Sequence, residues 1–152
     1  MNHGKGARSS LIAGTSHRSG EVCCPWALIV DDDPIAGRAT ARMLRTNSKV
    51  IVRQASDLRA VHRLIKQART SPCLVVLDYE LGRGETGLMA LRLLRSLGVG
   101  APCAFLTGAP EKLRHALDAA LGLGPVPVFA RSAHALDDVS RWISGNALAQ
   151  TG

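Results

Sequence analysis

Short apolar runs alternate with longer segments of helical spacing from residue 25 to residue 143. A short apolar run bounded by polar residues is typical of a buried strand. Five strands are predicted on this basis, at residues 26–30, 50–52, 73–77, 104–106 and 126–130.

A helix is predicted after each strand, because apolar residues recur there every three or four positions. The predicted helices cover residues 34–46, 57–69, 88–97, 110–121 and 133–143. Pro34 and Pro110 suit the first turn of their helices, and Ser56 or Asp57 can cap the second helix. The buried face of the first helix is expected to hold Ile35, Ala39, Met43 and Leu44.

Strands that are apolar throughout and alternate with helices predict a parallel sheet that is covered on both faces. The expected fold class is α/β, a doubly wound five-stranded parallel sheet with five helices. In such sheets the binding and reacting groups collect at the carboxyl ends of the strands. The functional site is therefore expected among the residues that follow each strand.

The two ends of the chain differ from this alternating stretch. Residues 1–24 are rich in glycine, serine and basic residues, which predicts a flexible tail. Residues 25–146 are expected to form one domain, followed by a short C-terminal tail at 147–152. Because few residues follow the last predicted helix, no output domain is expected.

Hydropathy and cysteine usage exclude several classes of protein. No apolar run approaches the roughly 20 residues that cross a bilayer, and no signal peptide opens the chain, so a cytoplasmic protein is expected. Cys23 and Cys24 are adjacent, while Cys73 and Cys103 lie inside apolar runs. This spacing fits neither a metal site nor a domain held together by disulfides.

The net charge of +7 raises the question of an anionic partner. Residues 1–24 hold three basic residues and one acidic residue, which leaves sixteen basic and eleven acidic residues in the rest of the chain. Five of those eleven acids follow predicted strands. We therefore expect a dipolar domain with an acidic pocket, whose basic first and second helices attract an acidic protein. Binding of nucleic acid by those helices is a lower-ranked alternative.

Polar side chains follow four of the predicted strands. They are Asp31, Asp32 and Asp33 after the first strand, Asp78 and Glu80 after the third, Thr107 after the fourth and Arg131 after the fifth. Carboxylates crowded at one sheet edge repel each other unless a hard divalent cation binds them, which predicts a Mg²⁺ site. Thr107 and Arg131 suit a phosphoryl group beside the metal. Asp78 stands alone after the central strand and is the candidate nucleophile, as in enzymes that form an aspartyl phosphate.

Four motifs at these positions resemble the receiver domain of two-component response regulators. They are LIVDDDP at 28–34, LVVLDYEL at 74–81 with Gly87 behind it, AFLTG at 104–108 and VFAR at 128–131. The resemblance covers about residues 25–145. It implies a (βα)5 flavodoxin-like receiver fold and a stand-alone response regulator of a phosphorelay, which catalyses only its own phosphorylation and dephosphorylation.

The resemblance also implies a role for each site residue. Asp31 and Asp32 match the magnesium-binding carboxylates, and Asp78 matches the phosphoacceptor, which also contacts the metal. Glu80 matches the position whose backbone carbonyl completes the metal shell, and Thr107 matches the hydroxyl residue that turns towards the phosphoryl group.

The partners implied by the resemblance are a phosphoryl donor and a downstream protein. The donor is a histidine kinase or a phosphotransfer protein. The downstream target binds the face of the fourth helix, fifth strand and fifth helix, which corresponds here to residues 111–121, 126–130 and 133–143.

Several positions depart from the family pattern. Arg131 replaces the usual lysine, and a planar fork on a longer stem is not equivalent to a compact ammonium. Ser132 replaces a proline, Val128 replaces the aromatic switch residue, and the loop from Asp78 to Gly87 is one residue longer than usual. These departures motivate an alternative function, a receiver-like interaction module that acts without phosphorylation.

A haloacid-dehalogenase-type phosphatase also uses a strand-end aspartate as its nucleophile. Such an enzyme requires a second aspartate two residues later as its acid and base, and Glu80 stands at that position. The sequence therefore favours a receiver over a phosphatase.

Overall fold

The computed structural model describes residues 25–120, 122–123, 126–132 and 134–148. The predicted tail at 1–24, with Cys23 and Cys24, lies outside the described residues. The last helix ends at Leu148, two residues beyond the predicted domain boundary at 146.

Five strands form one parallel sheet in the order β2-β1-β3-β4-β5. Their bounds are β1 Trp26–Val30, β2 Ile51–Ala55, β3 Leu74–Leu77, β4 Cys103–Thr107 and β5 Val128–Ala130. Leu28 of β1 is paired with Arg53 of β2 on one side and with Val75 of β3 on the other. The central position of β3 and the predicted α/β fold class are confirmed.

A helix follows each strand. The bounds are α1 Pro34–Asn47, α2 Leu58–Gln67, α3 Gly87–Ser96, α4 Pro110–Ala119 and α5 Ala135–Leu148. Three helices begin at a side chain that accepts a backbone N–H of the first turn, namely Asp33, Asp57 and Thr86. Of the two residues considered for the start of α2, Asp57 is the cap. None of the helices in the described ranges is long and apolar enough to cross a membrane.

Two apolar clusters hold these helices against the sheet. Alternate residues of β1 point to opposite faces, so Leu28 belongs to one cluster and Ile29 to the other. The first cluster includes buried residues of α2, α3 and α4, with Phe105 of β4 among its largest fully buried side chains. The second joins α1 to α5. Because helices pack on both faces of the sheet, the ends of its strands are held in place relative to one another.

Two expectations about burial are wrong. The second strand is predicted to be buried on both faces, but β2 is an edge strand in which Ala55 alone of five residues is buried. Of the four α1 residues predicted to be buried, Leu44 is buried and Met43 is partly buried, whereas Ile35 is 71% exposed and Ala39 is also exposed. The observed buried face of α1 consists instead of Gly37, Thr40, Ala41 and Leu44, and a Cβ on Gly37 would lie 2.9 Å from Oε1 of Gln54 in β2.

Candidate functional site

Three carboxylates meet at the carboxyl edge of the sheet. Asp31 and Asp32 follow β1, and Asp78 follows the adjacent β3. The ladder between these strands sets their separation, because the backbone N–H of Asp78 donates to the Val30 carbonyl at 2.8 Å. One carboxylate oxygen from each of the three aspartates lies within 4.8 Å of the others. In the part of the chain that the structure describes, this is the one group of three or more His, Cys, Asp or Glu side chains close enough to share a metal ion.

The other two strand-end acids point elsewhere. The side chain of Asp33 accepts the N–H of Ile35 at 2.8 Å and begins α1. The carboxylate of Glu80 is 3.1 Å from Nζ of Lys112 and is largely exposed. The Glu80 side chain is therefore paired outside the cluster. This placement does not suit the general acid and base of a phosphatase in which Asp78 is the nucleophile.

Arg131 brings a positive charge into the cluster. Its guanidinium donates a hydrogen bond to Oδ2 of Asp31 and lies 3.6 Å from Oδ2 of Asp78. Its backbone N–H donates to the Thr107 carbonyl at 2.8 Å, which places Arg131 directly beyond the β4–β5 pairing. The side chain of Asp31 is 2% exposed and that of Arg131 is 30% exposed. The ion pair is thus buried on its acidic side and open to solvent on its basic side.

Burial raises the pKa of the two inner aspartates. For Asp78 burial is the largest influence and raises the pKa to about 6, while Arg131 lowers it and the charge of Asp31 raises it further. For Asp31 burial also raises the pKa, against the opposing effects of the Asp33 backbone N–H and Arg131. Arg131 alone therefore does not compensate the carboxylates for their loss of solvent, and a further cation would stabilise their charged forms.

Thr107 lies at the end of β4 on the same edge. Its side chain is buried, and its hydroxyl oxygen accepts the backbone N–H of Ala109 at 3.1 Å. Gly108, between them, is exposed. This hydrogen bond is local and of ordinary length.

The loop after β3 wraps around the cluster. Gly82, Arg83 and Gly84 have φ values of 71°, 54° and 78°, so three consecutive residues adopt the left-handed conformation that favours glycine. A Cβ on Gly82 would lie 3.0 Å from Oδ2 of Asp32. The loop from Asp78 to Gly87 thus makes a tight left-handed turn beside the exposed carboxylate of Asp32.

Two further residues, Glu85 of this loop and Gly87 at the start of α3, position the site and were not predicted to do so. A Cβ on Gly87 would lie 1.9 Å from the carbonyl oxygen of Asp78. Glycine is unfavourable in a helix, so its presence at the first position of α3 is the feature of the sequence that points to this close contact. The carboxylate of Glu85 accepts the N–H of Leu58 at 3.0 Å, across 27 positions of sequence. No local pattern reveals such a contact.

Cys73 and Cys103, the two cysteines in the described ranges, are not joined in a disulfide. Burial raises the pKa of Cys103 to about 11 and also raises that of Cys73. Both therefore remain protonated at neutral pH, as expected of small residues in an apolar core.

Comparison with solved structures agrees with this fold. The receiver domain of the PhyR response regulator from Erythrobacter litoralis is 22% identical, with a TM-score of 0.64 over 82% of this chain and 91% of that one. A response regulator receiver domain protein from Clostridium thermocellum is 20% identical, with a TM-score of 0.68 over 84% of this chain and 97% of that one. The response regulator TrrA from Thermotoga maritima, solved in complex with Mg²⁺ and BeF, is 20% identical, with a TM-score of 0.66 over 80% and 98% of the two chains.

Comparison by sequence identifies the family. None of the curated proteins compared with the chain matches it significantly. The family described as the response regulator receiver domain matches residues 27–124, which is more than half of the chain and includes Asp31, Asp32, Asp78 and Thr107. The chain therefore belongs to the response regulator receiver domain family.

Proposed function

We propose that this receiver domain accepts a phosphoryl group on Asp78 in a Mg²⁺-dependent reaction and signals by binding another protein. The observation that supports this function best is the meeting of Asp31, Asp32 and Asp78 within 4.8 Å at the carboxyl edge of the sheet. Thr107 and Arg131 lie at the ends of the neighbouring strands.

The donor set at this edge fits Mg²⁺. Carboxylate oxygens are hard ligands, and the raised pKa of Asp78 indicates that its charged form lacks sufficient compensation. Asp31, Asp32, Asp78 and the backbone carbonyl of Glu80 would hold the ion. When bound, Mg²⁺ neutralises charge on the oxygens of a phosphoryl group.

Asp78 acts as the nucleophile in this proposal. Its carboxylate is mostly ionised above a pH of about 6. One of its oxygens forms a bond to phosphorus while the bond from phosphorus to the donor atom breaks, and the donor leaves with that electron pair. The Thr107 hydroxyl turns from the Ala109 N–H towards the new phosphoryl oxygens, and Arg131 supplies a positive charge beside them.

The donor in this proposal is a histidine kinase or a phosphotransfer protein. The signal reaches a downstream protein through the face formed by α4, β5 and α5. Support for this route comes from packing, because Thr107 pairs with Ala130 of β5, and the ring of Phe129 contacts that of Trp142 in α5 at 6.4 Å between centroids. A change at Thr107 is therefore adjacent to the strand that packs on α5.

Acetyl phosphate with Mg²⁺ tests the proposal. Intact-mass spectrometry should show one added phosphoryl group on the wild-type protein and none on the Asp78→Ala variant. Asp118→Ala, which removes an exposed carboxylate of α4, is the matched control and should be labelled like the wild type. Beryllofluoride with Mg²⁺ should raise the thermal midpoint of the wild type and leave that of Asp78→Ala unchanged.

A second candidate function is an interaction module that does not use phosphorylation. The pairing of Arg131 with Asp31 favours it, because a resident guanidinium already neutralises one of the three carboxylates. The absence of a phosphoryl adduct together with no response to beryllofluoride would overturn the first proposal and support this one.

Replacement of Arg131 by glutamine is expected to strengthen Mg²⁺ binding severalfold, because a like charge leaves the site. In the absence of Mg²⁺ the same variant should lose about 1–3 kcal/mol of unfolding free energy, since Asp31 remains buried without its counterion. Chemical unfolding with and without Mg²⁺ measures both effects. Arg141→Gln, which breaks an exposed pair with Asp138, is the control and should change neither value by more than about 0.5 kcal/mol. An unchanged Mg²⁺ response in Arg131→Gln would contradict the metal site.

A further inference from the structure

The basic residues of the domain are concentrated in the segment of the chain that forms α1, β2 and α2. Residues 34–70 contain nine of the sixteen basic residues of positions 25–152 and one of the eleven acidic residues. All nine side chains are exposed. We call this surface the basic edge, and it consists of Arg38, Arg42, Arg45, Lys49, Arg53, Arg59, Arg63, Lys66 and Arg69.

The basic edge surrounds β2, the outermost strand of the sheet. Helices α1 and α2 both contact β2 and lie on its two faces. Arg38, Arg42 and Arg45 share one stripe of α1, because they are spaced by four and three residues. Arg59, Arg63 and Lys66 form the same pattern on α2. The strand therefore lies between two helices that each carry a row of positive charge.

The outer side of β2 presents backbone groups that no described strand pairs with. On its inner side, the N–H of Ile51 donates to the Pro25 carbonyl at 2.9 Å, and the carbonyl of Ala55 accepts from Asp31 at 3.0 Å. Each residue of a strand directs both its N–H and its C=O to the same side, and successive residues alternate between the two sides. Val52 and Gln54 consequently direct theirs outward, ready to pair with another strand.

A hollow of mixed polarity lies at the beginning of β2. Its volume is about 310 Å³, and its lining combines the apolar residues Trp26, Ile51 and Ala68 with the polar residues Arg53, Gln67, Arg69 and Thr70. The guanidinium of Arg53 covers the ring of Trp26 at 4.9 Å from the ring centroid. Ile51 is 51% exposed although it is a large apolar residue. The hollow has room for one apolar side chain beside a positive charge.

We propose that the basic edge binds an extended acidic segment of a partner protein, which adds to the sheet as a strand beside β2. The outward groups of Val52 and Gln54 pair with its backbone, the arginines attract its acidic residues, and one apolar residue enters the hollow. This surface contains neither Asp78 nor the α4–β5–α5 face, so the inference does not depend on phosphorylation.

Two alternatives explain less of this surface. Charge that protects an edge strand against aggregation commonly lies on the strand itself, and Arg53 alone of the nine basic residues lies in β2. Single-stranded nucleic acid is bound by a basic groove together with exposed aromatic rings on which bases stack, but residues 34–70 contain no Phe, Tyr or Trp, and the nearby Trp26 is 3% exposed. Neither alternative uses the outward backbone groups of Val52 and Gln54.

Peptide binding to the full chain tests the proposal. A fluorescein-labelled peptide in which glutamate alternates with valine should bind at low salt, as measured by anisotropy, and should perturb the amide NMR signals of Val52 and Gln54. The same residues interrupted by prolines, which cannot pair as a strand, should bind at least about tenfold more weakly. A single-stranded DNA of equal net charge should also bind at least about tenfold more weakly than the acidic peptide.

Protein variants separate the contribution of charge from that of the backbone. Gln54→Pro removes an outward N–H at a position where an edge strand tolerates proline, and it should weaken binding about tenfold while Gln54→Ala does not. Reversal of charge in Arg42→Glu/Arg63→Glu should weaken binding at least about tenfold. The reversal Arg92→Glu/Arg114→Glu, on α3 and α4, is the matched control and should change binding less than about twofold.

Four outcomes would overturn the proposal: no binding of the acidic peptide at low salt, equal binding of the proline-containing peptide, equal binding of DNA, or equal loss in the control reversal. Equal binding of DNA would assign the basic edge to nucleic acid instead. Circular dichroism establishes whether each variant is folded. If Gln54→Pro does not fold, the comparison of peptides and the charge reversals still test the proposal.

Discussion

Replacement of Gly87 by alanine is expected to destabilise the domain by about 3–5 kcal/mol, a large effect for one methyl group. A Cβ at this position would lie 1.9 Å from the carbonyl oxygen of Asp78 and 2.9 Å from the ring of Phe105. Neither neighbour can move easily, because one is backbone and the other is a fully buried core residue. Chemical unfolding of the purified variant measures the loss.

Gly100→Ala is the matched control for this prediction, because a Cβ there would meet no atom within 4 Å. It should change the unfolding free energy by less than about 0.5 kcal/mol. If Gly87→Ala is soluble and folded, its displaced Asp78 backbone should also weaken the Mg²⁺ response. An unfolding free energy equal to that of the Gly100→Ala variant would show that the start of α3 does not approach β3 as closely as described.

Replacement of Asp78 by asparagine is expected to stabilise the Mg²⁺-free protein by about 2–3 kcal/mol at pH 7. The folded state holds the pKa of Asp78 at about 6, above its ordinary value of 3.8, so folding disfavours the charged form. Between these two pH values the folded protein binds more protons than the unfolded chain. The contribution of Asp78 to stability is therefore highest below a pH of about 4 and falls as the pH rises towards 6.

The difference between the wild type and Asp78→Asn should follow the same pH range. It should be near zero at pH 4, grow up to pH 6 and remain constant above, as measured by chemical unfolding in the presence of a chelator. Asp118→Asn, at an exposed carboxylate, is the control and should change the unfolding free energy at pH 7 by less than about 0.5 kcal/mol. Addition of Mg²⁺ should stabilise the wild type more than Asp78→Asn. A variant that is no more stable than the wild type at pH 7 would contradict the destabilising burial of Asp78.

The sequence specified the strands and helices well because each depends on neighbouring residues. The apolar runs of β1 and β3, the proline in the first turn of α1 and the cap of α2 are local patterns, and the structure contains all of them. The order of elements also predicted which residues reach the carboxyl edge of the sheet. For this reason Asp31, Asp32 and Asp78 could be selected before their distances were known.

The burial of a residue in an edge strand or on a helix surface could not be predicted in the same way. Ile51 belongs to a β-branched run, but β2 has a neighbour on one side only, so this side chain is half exposed. Ile35 has the right spacing for the core, but the face of α1 that packs on the sheet runs through Gly37, Ala41 and Leu44, so Ile35 lies in solvent. Both results depend on contacts between elements.

The sequence by itself determined the fold class, the strand-end positions of the candidate site residues and the uneven distribution of charge. The tertiary structure decided that Arg131 pairs with Asp31, that Gly87 lies against the Asp78 carbonyl and that the basic helices α1 and α2 both contact the edge strand β2. Local propensity and periodicity act over a few residues. These three features instead join residues that are distant in sequence, and the register of the sheet and the packing of helices on its two faces bring them together.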